Sequence, residues 1–211
     1  MEKEEVAHIV GAVIIFTAIL SFKPVLNGNY SLIGMAIVSS AVIIATNIYG
    51  KKFMARLLDA DVEHRTWTVS RFGFRPNQRF KSPFKAGIFL PLIFSVLSLG
   101  SIMLSSFLTY EASARKERAA KRFGYYSYTE MTDWHNALIG AAGIITTLIV
   151  LVISYLTGFE PLAKAAAFYV FWNMIPISDL DGTQIFFGSK VIWAILATIS
   201  LLLALYSVTI I

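Results

Sequence analysis

The stretch WHNALIGAAGIITTLIVLVISYLTGF, from Trp134 to Phe159, contains no Asp, Glu, Lys or Arg. A helix rises about 1.5 Å per residue and needs roughly 20 apolar residues to cross a hydrocarbon core about 30 Å thick, so this stretch is long enough to span a bilayer. The same absence of charge recurs over Val6–Phe22, Pro24–Gly50, Ala86–Tyr110, Ala165–Ser178 and Val191–Ile211. Over all 211 residues the chain is 56% hydrophobic and 15% charged, with a mean hydropathy of +0.67. Such a composition excludes a water-soluble enzyme, a nucleic-acid-binding module and a secreted disulfide scaffold. The chain has no cysteine, which removes disulfides, thiol nucleophiles and thiolate-bound zinc and leaves three histidines and the acids as metal ligands.

The pattern predicts an all-α, polytopic membrane protein, a single integral domain over 1–211 with about six hydrophobic segments near 6–22, 30–50, 86–110, 134–157, 163–177 and 191–211. The flank Met1-Glu2-Lys3-Glu4-Glu5 is more acidic than basic, unlike a cleaved signal peptide, so 6–22 reads as a retained span. Lys23-Pro24 and Asn27-Gly28-Asn29 should reverse the chain between the first two spans. Residues 51–60 continue the second span, with Phe53, Leu57 and Leu58 on one side. Trp67–Phe74 is rich in β-branched and aromatic residues ahead of a Pro76-Asn77 turn, which predicts a small β hairpin in a membrane-surface loop.

Loop 51–85 carries Lys51, Lys52, Arg56, Arg65, Arg71, Arg75, Arg79, Lys81 and Lys85 against three acids. The positive-inside rule makes it and the N-terminus cytoplasmic, in a multi-pass protein of the cell membrane. The loop 111–133 balances its cations with acids and falls outside if 86–110 crosses. A pI near 9.4 set by the first loop points to membrane lipids, with anionic head groups as the counterpart, and not to nucleic acid. Gly140-Ala141-Ala142-Gly143 predicts close helix packing.

The segment 163–177 is short and carries Asn173 and Pro176 just before Asp179 and Asp181, which predicts a helix broken over Asn173–Gly182. Irregular backbone at membrane depth survives where it is buried in protein or lines a wet cavity, and ionisable residues there are read as functional. Residues 178–190 as a plain polar surface loop is the competing reading. Pro176 removes a backbone donor, Asn173 can bond carbonyls so released, and Gly182 permits close approach beside the Asp181 carboxylate.

This string, Asn173-x-x-Pro176-x-x-x-Leu180-Asp181-Gly182, resembles the Asn-Pro-x-Pro-x-x-x-Leu-Asp-Gly motif of the site-2 protease family, the zinc-dependent intramembrane proteases, and its surroundings look most like archaeal members. The resemblance implies that Asp181 matches the family's third zinc ligand. Lys52–Arg56, Val62–Arg65 and Ala142-Gly143, the last with Ile144 where proline is expected, are looser points of similarity. The family's His-Glu-x-x-His, in which two histidines one helical turn apart bind zinc and the glutamate activates water, is absent. Of His8, His64 and His135, none precedes a glutamate and no two are four apart. Aligned on the second span, the motif falls on Asn47, Ile48 and Lys51, which offer a weak amide oxygen, no base and a cation.

The resemblance therefore implies a pseudoprotease: no catalytic residues and no cofactor, with zinc on Asp181 only if some atypical site persists, and the transmembrane helix of another protein as a possible partner. Retained proteolysis completed by unconventional ligands or a partner subunit, and a transporter built around the broken helix, are the alternatives; no internal repeat supports the latter. The predicted topology sets His135 across the membrane from His8 and His64. If the alignment holds, Lys51 and Asp181 share one interior cavity. The sequence leaves the oligomeric state open.

Overall fold

The computed structural model describes residues 3–71, 78–115 and 131–209. In chain order these form α1 (Lys3–Leu26), a 3-10 turn at Tyr30–Leu32, α2 (Ile33–Leu57), β1 (Ala60–Thr66), β2 (Val69–Arg71), β3 (Arg79–Phe84), α3 (Ala86–Leu97), β4 (Leu108–Ala114), α4 (Asp133–Leu156), α5 (Glu160–Asn173), α6 (Asp181–Gly188) and α7 (Lys190–Thr209). Helices α1, α2, α4 and α7 are long and apolar enough to cross a membrane. Their outward faces carry Val10, Ile14, Ile37, Ile149, Val152, Ile199 and Leu202, all well exposed, as lipid-facing side chains are.

Among the described residues four helices are long and apolar enough to span, and the two other expected segments, 86–110 and 163–177, take different forms for physical reasons. The apolar run 86–110 does not cross as a helix. Its helix α3 ends at Ser98, Leu99 and Gly100 take positive φ values of 51° and 76°, and the chain turns back in extended form to enter β4. That extended return is sheathed in protein: Leu104, Ser105, Ser106 and Phe107 are buried, and the Asn173 amide donates to the Ser105 carbonyl at 3.2 Å. Extended backbone beside membrane spans is tolerable on those terms. The segment 163–177 gives α5, 14 residues long, too short to cross and buried through Leu162, Ala163, Ala166 and Val170.

Strand β4 pairs antiparallel with β1 from Ala60↔Ala114 to Thr66↔Leu108. Strand β4 therefore sets the start of the loop after residue 110 beside loop 51–85, at the same end of the bundle, where the sequence suggested opposite ends. The expected hairpin exists as β2 paired with β3, Val69 opposite Phe84 and Arg71 opposite Arg79; its turn at Pro76-Asn77 lies outside the described residues, as do the cations of 116–130.

Between α1 and α2 the chain reverses at Gly28, with φ of 74°. The main core joins Phe16 and Ile19 of α1, Ile43, Ile44 and Ile48 of α2, Phe107, Leu151 of α4 and Tyr169 of α5, with Phe16 and Phe107 rings 5.1 Å apart. Small residues set the helix spacing: a Cβ on Gly50 would strike the Thr146 hydroxyl, and one on Gly143 would lie 2.8 Å from Lys51 Cε and 3.0 Å from the Asn47 carbonyl. Gly143 thus lies on the α4 surface against which α2 is drawn close, while Gly140 admits the Tyr110 hydroxyl and Ile185.

Candidate functional site

Asn47 and Lys51 lie one turn apart on the face of α2 that meets α4, and both are buried. Ile48 points elsewhere, into the main core. The Asn47 amide reaches Thr147 Oγ1 at 3.5 Å, a weak contact, and Thr147 itself donates to the Gly143 carbonyl at 2.8 Å.

Asp181 arrives from the other side of the bundle. Helix α5 ends at Asn173, whose amide donates to the Tyr169 carbonyl at 2.8 Å as well as to Ser105, and not to a carbonyl freed by Pro176 as the sequence suggests. Residues 174–180 then run irregularly, and α6 begins at Asp181, where the helix N-terminus favours a carboxylate. Two contacts fix that start. Gly182 packs so tightly on the Met174 carbonyl that any Cβ would collide with it, and Leu180, 2% exposed, packs with Trp67 and Ala86. The Trp193 indole donates to the same Met174 carbonyl at 3.0 Å.

The result is a direct ion pair between residues 130 positions apart. Lys51 Nζ lies 2.7 Å from Asp181 Oδ2 and donates a hydrogen bond to Oδ1 at 2.8 Å, with the two side chains 2% and 1% exposed. The Tyr110 ring lies under the ammonium, 4.7 Å from Nζ to centroid, adding a cation–π contact in a site without water exposure. Tyr110 is held at both ends, its hydroxyl donating to the Asn136 carbonyl at 2.6 Å and its carbonyl accepting from Gln184 Nε2 at 2.9 Å. A buried pair is held by geometry and complementary partners more than by gross attraction, because both charges have left water.

Beside this pair sits a second charged cluster that the sequence does not announce. Glu5, buried in the first turn of α1, receives Lys52 Nζ at 2.7 Å and His64 Nδ1 at 3.0 Å. His64, on β1 directly opposite Tyr110, is 1% exposed, and its Nε2 has no partner. Burial, reinforced by the nearby Lys51 and Lys52 cations and opposed by Glu5, pushes the His64 imidazole down to about 3. Its folded form is therefore neutral, whereas an unfolded chain takes up the proton below about pH 6.5. The stability His64 contributes is fully present above that pH and is lost as the pH drops from 6.5 toward 3, by up to about 1.4 kcal/mol per unit. Thermal unfolding in detergent at pH 7, 6, 5 and 4 should show this slope, and His64→Leu should flatten it; an unchanged slope in the variant would remove His64 as its source.

The remaining sequence candidates fall elsewhere. Asp179 and Pro176 are exposed; Asp179 accepts from Ser178 at 3.4 Å, whereas Asp181 is buried against Lys51. Asp179 faces an open cleft of about 930 Å³, shared with His8, Arg65, Lys85, Asp133 and Gln184. That cleft also corrects the placement of His135, since Asp133 and Asn136 of the same helix end line it together with His8 and the strand bearing His64. The three histidines lie toward one end of the bundle. His8 bonds Thr66 at 2.9 Å and His135 bonds Thr132, each away from Asp181.

The donor set does not fit a zinc ion. Asp181 offers one carboxylate, the position one turn after Asn47 is an ammonium, and among the described residues no three His, Asp or Glu side chains are grouped to share a metal. Tyr110, His64, Glu5 and Gln184 escape a reading by motif because they reach the site through strand pairing and helix docking, over separations local spacing does not encode. No protein-family model, curated protein or solved structure matches this chain.

Proposed function

We propose that this protein is a multi-pass membrane protein built on a site-2-protease-like scaffold whose metal position has been replaced by a lysine, and that it acts as a non-catalytic pseudoprotease binding or regulating the transmembrane helices of other proteins. The observation that carries the reading is the buried Lys51–Asp181 pair. The residue aligned with a histidine ligand and the residue aligned with the acidic ligand meet each other, and the ammonium satisfies the carboxylate a metal would otherwise neutralise. A gate or pore does not require such a contact. The broken segment before Asp181, with Ile177 and Asp179 exposed beside the open cleft, is the surface on which an unwound or extended portion of a partner helix would dock. In this reading loop 51–85 and the N-terminus are cytoplasmic by their charge, and membrane lipids surround the four spans.

The test is co-reconstitution with a reporter transmembrane substrate, using a photo-crosslinker placed at Asp179. The expected result is crosslinking with no cleavage above the background of an Asp181→Ala variant. Cleavage by the unmodified chain that disappears in Asp181→Ala would overturn the proposal in favour of a working protease, and no crosslink at any substrate concentration would overturn the docking surface.

A further inference from the structure

The end of the bundle remote from the sheets is almost free of charge. The spans run between the two ends, so that the first residues of α1, the last of α2 and the first of α4 lie with the sheets, while Lys23, the start of α2 and the start of α5 lie opposite. Among the described residues the charged side chains at this far end are Lys23, Glu160 and Lys164, and all three line one cavity of about 490 Å³. Convergence of the few charges on one concavity is not what scattered solvation would produce.

The cavity is amphipathic along its depth. At its mouth the Lys23 and Lys164 side chains have neither ion pair nor hydrogen bond among the described residues, and Glu160 leaves the site one net positive charge. The uncapped N-terminus of α5 opens there too, with Phe159 at the cap position giving no side-chain acceptor and Pro161 in the first turn. Free backbone donors at a helix start, flanked by two cations, favour an anion. Deeper in, Met35, Ala36, Phe168 and Leu20 make an apolar wall, reaching Ser39 about 9 Å along α2 from its first residue. Ser39 is 1% exposed and its hydroxyl has no partner, an unsatisfied polar group that a bound polar atom would relieve. Leu32 and Val208, which also line the cavity, are exposed toward where lipid lies.

We propose that this cavity is a binding site for an anionic membrane lipid, its phosphate held between Lys23, Lys164 and the start of α5, and the first part of its chain lying on Met35, Ala36 and Phe168. The basic loop at the sheet end attracts anionic surfaces diffusely, whereas this site is a pocket of defined shape on the opposite face.

The experiment uses the full chain in a neutral mild detergent, titrated with phosphatidylglycerol, phosphatidylcholine, and glycerol phosphate, with native mass spectrometry reading bound lipid. The expected result is saturable binding of one phosphatidylglycerol, with preference over phosphatidylcholine falling about fivefold for each of Lys23→Gln and Lys164→Gln, since each cation near a membrane surface contributes about that much. Ser39→Leu, which fills the floor and leaves the cations, should weaken phosphatidylglycerol too. Arg79→Gln/Lys81→Gln, at the other end, should leave the preference unchanged. Equal binding of the two lipids, a preference that follows Arg79 and Lys81 instead, or glycerol phosphate binding as tightly as phosphatidylglycerol would each overturn the proposal, the last by reducing the site to a free-anion pocket.

Discussion

Lys51→Met should destabilise the protein by about 3–5 kcal/mol in detergent, one of the largest losses expected from any single substitution in this chain, because it strands the Asp181 carboxylate where neither water nor a second cation reaches it. Asp181→Leu should cost a similar amount by stranding the ammonium. The informative variant is the double one. Replacing both partners with apolar side chains of similar size removes both desolvation penalties, so Lys51→Met/Asp181→Leu should recover most of the loss, and the coupling across the cycle should be several kcal/mol. Purely additive losses, or single-variant losses under about 1 kcal/mol, would show that the two groups do not depend on each other. Tyr110 adds a smaller increment: Tyr110→Leu keeps bulk and the backbone carbonyl that accepts from Gln184, but forfeits the cation–π contact and the hydroxyl's hydrogen bond to the Asn136 carbonyl.

How much of this was legible in the sequence follows from which features are local. Charge-free runs of helical length marked α1, α2, α4 and α7, since crossing a bilayer is a demand on composition and length alone. The break before Asp181 was legible because Pro176 and Gly182 impose it locally. The run 86–110 was not, because an apolar stretch has the same composition whether it crosses as a helix or returns as an extended chain packed in protein. Its serines at 95, 98, 101, 105 and 106 were the available sign that it does not face lipid throughout. The pairing of β1 with β4 was out of reach for a different reason, since the strands lie far apart in the chain and each is too short to declare a partner. With that pairing went Tyr110, His64 and the side on which His135 lies.

The pair of Lys51 and Asp181 stands between these cases. Neither residue is unusual by itself: a lysine near the end of an apolar helix normally reaches out to the membrane surface, and an aspartate before a glycine normally caps a loop. Their meeting was an expectation of laying two separated segments on the proposed site-2-protease-like pattern, and the two side chains do touch.

The central claim is that an ammonium stands where that pattern would have a metal, and the measurement that tests it most directly is zinc per chain after purification, comparing the unmodified protein with an Asn47→His/Lys51→His variant. That variant restores two imidazoles four residues apart on the α2 face from which Lys51 now meets Asp181, giving three ligands of the kind that hold zinc. The account predicts far less than one zinc per chain in the unmodified protein and about one in the variant, lost again when Asp181→Ala is added. Near-stoichiometric zinc in the unmodified chain, or none in the variant when it is folded, would contradict it.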